Sequence, residues 1–455
     1  YDVAEKVERR IADPRNLLAD SDDIPAAERA RRERMREQAA GITAFTTDDS
    51  GTVAAFALAG QLFFANLRSG TVNQLAATGP IIDPRISPDG QRIAWSTGPE
   101  VRIIEINGTG ERVIADELAF GSGTPSDTVS WGLADFIASE ELGRMHGMWW
   151  SPESDALVVE RCDDSPVKRI WLSDPTIPDR EPREYRYPYA GTPNADVRLV
   201  WVTLDGQQRA DVNLAADYLV SVRWQQGHEP LITTSDRAQQ QFTIASLAGD
   251  GLHKVTTIHD SHFIDVIPGQ PRWWDDALVT VVDDVDTDTR RIEVDGGALG
   301  PMGLQIMSVL GVTDDGIDVI ATDNALDRFI AHIARDGSVT RLTHDGVASA
   351  TPPVCVRGST WRVVSSSRLV DSSRTWQLLR DEHVVHEFDC LAERPIIEPV
   401  VHYVRTGAHA VNTAVLFPHD HQMGSKRLPV LMRPYGGPHG AQAVSYTHLT
   451  LPTKA

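Results

Sequence analysis

Cysteine is scarce: Cys162, Cys355 and Cys390 are the 3 in a chain of 455 residues. They lie far apart and form no metal-ligand spacing, which argues against a disulfide framework and suits a reducing compartment. No apolar run reaches the ~18 residues that span a bilayer, and no apolar segment opens the chain, so no signal peptide is visible. Positive charge is the minority, with 43 Lys and Arg against 64 Asp and Glu and a formal net charge of −21. That balance argues against nucleic acid and anionic membranes as main partners, and it favours ligands that carry a positive group. A cytoplasmic enzyme or binding protein is the expected class, and nothing implies a cofactor or a metal. Methionine is missing from the first position, where Tyr1 stands, so the native start is expected upstream.

What is present is a balance of 41% apolar and 24% charged residues, the composition of a globular protein. Its length exceeds one ordinary core, so two domains or a repeat array is expected. A repeat runs through the middle: a short strand, a polar turn, then a second β-rich strand. Copies begin at Phe45, Arg85, Trp149, Val222, Pro271, Gly311 and Pro352, as in RISPDGQRIAWST and WWSPESDALVVER. Most separations are of the ~40–50 residues that make one four-stranded propeller blade. The two longer ones, from 85 to 149 and from 149 to 222, imply insertions or a further blade. A pair of β-sandwiches would also give many short strands, but seven copies at this spacing favour the propeller.

Before the repeat, Asp23 and Pro25 suit the start of a helix over 26–40. Its arginines 29, 31, 32, 34 and 36 interleave with Glu28, Glu33 and Glu37, so i,i+4 ion pairs on a solvated face explain them better than nucleic-acid binding. After the repeat, 411–417 (VNTAVLF) and 428–432 (LPVLM) read as compact apolar strands, like the opening of an α/β domain.

The stretch 131–150 reads WGLADFIASEELGRMHGMWW. A helix is expected over 135–144, carrying the adjacent carboxylates Glu140 and Glu141. Neighbouring helix residues point about 100° apart, so both can border one cavity only at a turn or helix end. Two carboxylates brought together favour a bound ammonium group. Taken alone, Glu-Glu on a solvated helix face is a weak signal.

Its surroundings are more specific. Gly132, Asp135, Phe136, Glu140, Glu141, Arg144 and then Trp149-Trp150-Ser151-Pro152 closely resemble the dipeptidyl peptidase IV family, with its cytosolic branch the nearest. The stretch from Tyr187 to Asn194 (YPYAGTPN), Tyr218-Leu219 with Trp224, and Asp236-Arg237-Ala238-Gln239-Gln240 look like the same family. The resemblance is dense over 131–242, diffuse across the other blades and dense again over 428–440. It implies an eight-bladed propeller over an α/β-hydrolase domain, and release of N-terminal X-Pro or X-Ala dipeptides by a serine nucleophile. It also implies that Glu140 and Glu141 hold the free α-amino group of a peptide substrate, and that family members commonly form homodimers.

Arg433-Pro434-Tyr435-Gly436-Gly437-Pro438-His439 is the second constellation, with two glycines that permit a tight turn. The resemblance makes Tyr435 the oxyanion-hole donor. No G-x-S-x-G nucleophile elbow occurs, and the order of the fold would place one beyond Tyr435. The ending VSYTHLTLPT reads like a translated sequencing adapter. The expected division is therefore an N-terminal helical segment over 1–41, the propeller over 42–392, the start of a hydrolase domain over 393–443 and a non-native tail over 444–455.

Three clusters invite other readings. His259-Asp260-Ser261-His262 contains triad residue types in a propeller loop. His419, Asp420 and His421 sit in a polar loop between strands. Asp284, Asp286 and Asp288 mimic a calcium loop, but Thr289 stands where glycine is needed and Asp295 where glutamate is usual, so a hairpin turn is expected. Two further functional readings stand beside the dipeptidyl peptidase: an acylaminoacyl peptidase or oligopeptidase of the same clan, and a non-catalytic peptide-binding propeller.

Overall fold

Each copy of the repeat supplies the first two strands of a separate antiparallel sheet. The computed structural model describes residues 1–17, 29, 41–121, 123–370, 374–391, 400–435 and 440–446. The chain divides into two units, Tyr1–Val266 and Ile267–Ala455. Among the described residues, the first unit holds four sheets of four or five strands, over 46–75, 82–116, 129–213 and 218–259. The second holds three such sheets, over 272–299, 305–341 and 347–388. Strand order within each follows the chain, so every sheet is a meander, the blade of a β-propeller.

The burial pattern explains the sequence pattern. Leu231–Ser235 and Gly316–Thr322, second strands of their blades, are buried at every position, because apolar layers cover both faces of their sheets. Outermost strands such as Val339–Arg341 face water. One apolar layer, with Ile81, Ile93 and Trp95, lies between the first two sheets. The next, with Val101, Trp131, Leu157 and Val200, lies between the second and third. In the second unit Val279, Ile292, Val319 and Ile333 form the equivalent layer.

The polar turns are held by side chains that accept from the strand they precede. Asp48 Oδ1 accepts from Thr52 N at 2.7 Å and Val53 N at 2.8 Å. Ser151 Oγ accepts from the amides of Asp155 and Ala156, both at 3.0 Å, and Ser87 Oγ accepts from Arg92 N at 3.0 Å. These bonds satisfy backbone donors at the turn and set the register of the following strand.

The two long repeat separations are both insertions. The first holds the helices Glu117–Phe120 and Phe136–Glu140. The second holds Arg169–Leu172 and Arg183–Arg186, which pair only with each other as a two-stranded hairpin. Seven blades stand among the described residues where eight were expected; the seven copies legible in the sequence account for all of them.

Other expectations change. The helix over 26–40 lies outside the described residues except for Arg29, and a short helix, Pro14–Leu17, precedes it. Val411–Phe417 is a strand, paired antiparallel with Val400–Thr406. The segment 428–432 is not: Val430, Leu431 and Met432 are 84%, 87% and 80% exposed, without strand pairing. An apolar run of this kind becomes a strand when flanking strands bury it, and among the described residues none pairs with it. Val444 is buried, and Ser445 N donates to Leu326 O at 2.8 Å while its carbonyl accepts from Leu369 N at 2.9 Å.

Trp95 is fully buried, and its indole donates to Thr78 O at 3.0 Å. Trp95→Ala is expected to destabilise the first unit by about 3–5 kcal/mol, read as a lower urea midpoint; an unchanged midpoint would contradict this account of the core.

Candidate amine-binding site

The first strand of the third blade is interrupted. Val129–Trp131 and Met148–Trp150 both pair with Ala156–Asp163, one against each end of it, and residues 132–147 leave the sheet between them. Glu160 sits opposite the gap. Its backbone N–H donates to Gly147 O at 2.7 Å, and its carbonyl accepts from Gly132 N at 2.8 Å, which closes the loop at its base. Both closing residues need to be glycine. A Cβ on Gly132, at φ +74°, would lie 2.6 Å from Val101 Cγ2, and one on Gly147 would lie 2.5 Å from the Leu133 backbone.

The Glu160 side chain rises into the loop it closes. Oε1 accepts from Asp135 N at 3.0 Å, while Oε2 pairs with Arg144. Arg144 also donates to Asp135 Oδ2 at 2.9 Å, His146 O at 2.8 Å and Leu219 O at 3.1 Å, the last on the neighbouring blade. Side-chain exposure is 7% for Arg144 and 0% for Glu160. Burial pushes the Glu160 carboxyl up to about 7, against the opposing pull of Arg144. For Arg144, burial lowers the pKa, but Glu160 and Asp135 outweigh it and the net shift is upward. Burial likewise pushes the Cys162 thiol well up.

On its second side the loop is tied to the second blade. His146 Nδ1 lies 2.9 Å from Asp83 Oδ2, and Arg85 contacts both Asp83 (3.0 Å) and His146. The loop is thus gripped from three blades.

These contacts shape a very short helix. Asp135 caps Phe136–Glu140 by accepting from Ala138 N at 3.1 Å, and Ser139 Oγ donates back to the carbonyls of Asp135 and Phe136. Gly143, at φ +67°, turns the chain away, so the helix expected over 135–144 stops at Glu140. Ala138 and Leu142 face inward on Val220, Phe242 and Ile264. Glu140, the last helical residue, and Glu141, its C-cap, are exposed. The Glu140 side chain makes no hydrogen bond or ion pair among the described residues. Two carboxylates at a helix C-terminus, where backbone carbonyls add to the negative potential, disfavour a neighbouring anion.

An aromatic series adjoins the helix. Phe136 meets Tyr187 edge-on at 5.4 Å, Tyr187 meets Tyr189 at 5.0 Å, and Lys168 Nζ lies 5.7 Å from the Tyr189 ring.

Tyr435 lies in the second unit, half exposed, in a segment without regular structure; Gly436, Gly437, Pro438 and His439 lie outside the described residues. In the 259–262 cluster, Ser261 Oγ and Asp260 approach the same ring nitrogen of His262, at 3.0 and 3.7 Å. A relay needs the two different nitrogens, and Asp260 instead caps a turn through the amides of His262 and Phe263. Asp284 accepts from the amides of Asp286 and Thr287 in a hairpin turn, as expected. His421 stacks on Phe417 at 5.1 Å in the loop after that strand. Among the described residues, no helix is long and apolar enough to cross a membrane.

Residues 49–282 match the family model for the dipeptidyl peptidase IV N-terminal region. The chain belongs to the dipeptidyl peptidase IV family. It is 29% identical to human (Homo sapiens) dipeptidyl peptidase 8 over 143 residues, covering 28% of this chain and 16% of that protein. Mouse (Mus musculus) dipeptidyl peptidase 8 is 30% identical over 129 residues, covering 26% and 14%. These matches span less than one fifth of the curated relatives' length. The Porphyromonas gingivalis dipeptidyl peptidase 4 structure shares the fold over 82% of this chain and 57% of that one, with a TM-score of 0.64 and 15% identity.

Sequence reasoning located the glutamate pair but missed what holds it. Glu160 carried a legible signal, a carboxylate directly after the apolar run ALVV in a largely buried strand. Asp83, Arg85 and His146 carried none, because their meeting depends on blade stacking.

Two outcomes follow. Arg144→Met leaves the Glu160 and Asp135 carboxylates buried without their cation, so above pH 7, where Glu160 is ionised, a loss of about 3–5 kcal/mol is expected in urea unfolding. Between 4.5 and about 7, folded Glu160 retains a proton that the unfolded chain releases. Its contribution to stability is therefore full below 4.5 and lost as pH rises through 7. Glu160→Gln should flatten the fall of the urea midpoint between pH 5 and 8, and an unaltered slope would refute the assignment.

Proposed function

We propose that this chain is the propeller part of a serine exopeptidase that releases N-terminal X-Pro or X-Ala dipeptides, and that Glu140 and Glu141 bind the free α-amino group of the peptide. One observation carries the reading: two adjacent, exposed carboxylates at the end of a helix in a loop that buried Arg144 fixes to the third and fourth blades and His146 to the second. An α-amino group has a pKa near 7.7–8.0, so at neutral pH it is mostly an ammonium with three donors. Charge-assisted hydrogen bonds to two carboxylates retain it, whereas an acylated terminus offers neither the charge nor the donors.

Anchoring the amine sets the length of the product. A peptide held by its first nitrogen presents a bond at a fixed distance from its terminus, and fixed orientation of this kind contributes strongly to rate. Tyr435 is the oxyanion donor in this reading, a role in which one preorganised hydrogen bond is worth about 2.7–4 kcal/mol. The nucleophile is not assigned to any residue of this chain, which has no G-x-S-x-G. Membership of a peptidase family supports the reaction class, and the net charge of −21 suits cationic peptide termini.

Calorimetric titration with an Ala-Pro peptide amide, free or N-acetylated, tests the reading. The free peptide should bind, and acetylation or Glu140→Gln should each weaken binding by about ten- to a hundredfold, the worth of a hydrogen bond to a charged group. Equal affinity for the two peptides would overturn it. The purified chain should not hydrolyse Ala-Pro chromogenic substrates; turnover sensitive to serine reagents would show that a nucleophile is present.

A further inference from the structure

We infer that the hairpin inserted in the third blade is a support arm for the amine site, acting through Tyr187 as a positioning residue. The inference rests on the proposed role of Glu140 and Glu141. The hairpin is built on its own base: Arg186 Nη1 donates to the carbonyls of Asp164 (3.0 Å), Ser165 (3.2 Å) and Val167 (3.0 Å), tying the outgoing strand to the incoming chain. Directly after it, Tyr187 N donates to Lys168 O at 2.9 Å. That bond sets the Tyr187 ring against Phe136, with centroids 5.4 Å apart and planes at 66°. Tyr189 continues the series, and its carbonyl lies 3.5 Å from Arg237 Nη2 on the fourth blade.

Phe136 is the first residue of the five-residue helix that ends at Glu140. A helix this short has almost no stability of its own, so its axis is set by what its side chains touch. Ala138 and Leu142 fix the inward side and Arg144 the level of the loop. Phe136 and Glu140 are one turn apart on the same face, so the ring contact that fixes Phe136 also fixes the direction in which Glu140 leaves the helix. The hairpin thereby contributes to a site it does not line.

Tyr187→Ala should weaken binding of the free Ala-Pro peptide amide by about three- to tenfold, the range of one aromatic pair. Tyr187→Phe should restore it, because the ring rather than the hydroxyl makes the contact. Hydrogen exchange supplies a readout that does not depend on peptide binding: the amides of Ser139, Glu140 and Glu141 should exchange faster in Tyr187→Ala, with the strand Ala156–Asp163 unchanged. Phe136→Leu removes the contact from the other side, and the double variant should lose no more than either single one. Full affinity and unchanged exchange in Tyr187→Ala, or additive losses in the double variant, would overturn the inference. If wild type does not distinguish free from acetylated peptide, the amine reading fails, and the exchange data still decide the positioning role.

Discussion

A charge enclosed by protein has to be answered, and in this chain Arg144 is answered from two directions by Glu160 and Asp135. The requirement is severe, since an uncompensated buried ion costs several kcal/mol. It is met only when residues far apart in sequence converge: a strand of the third blade, the cap of a short helix, and a carbonyl of the fourth blade. The exposed glutamates depend on that convergence. They sit at the end of five helical residues that could not hold a direction alone, on a loop whose base is closed by the backbone of the residue whose side chain fills it.

The division of labour between Glu160 and the glutamate pair follows from burial. All three are carboxylates within one segment of fold, yet Glu160 is buried against Arg144 and an amide, while Glu140 and Glu141 are exposed at the surface. The chemistry open to each is set by its surroundings rather than by its residue type. The same holds for Asp284, which resembles a metal ligand in sequence and serves as a turn acceptor and a partner of Arg291 in structure.

The blades were legible because each copy of the repeat is local: an apolar strand, a polar turn with an acceptor side chain, and a second apolar strand. Even the two long spacings pointed to the positions of the insertions. The helix boundary was less so, because Ser139 turning back on the backbone and Gly143 breaking the helix both act against a run of good helix formers. The segment 428–432 shows the opposite failure. Its composition is that of a buried strand, but composition states what a segment would do if covered, and among the described residues no strand covers it. The cluster of Asp83, Arg85 and His146 was not legible, since no local pattern brings position 146 to position 83.

The grip of three blades on one loop also bears on the order of assembly. The second, third and fourth blades can each form their own hydrogen-bond ladders, but Arg144 finds its acceptors only once the third and fourth have stacked, and His146 its partners only once the second has joined them. The packing of the loop is therefore complete only once the loop-closure entropy of those long-range contacts has been met. A ligand that recognises the finished loop binds only the assembled unit, and by mass action it draws nascent chains toward that state. In the proposed reading, the amine site is complete only in the assembled unit.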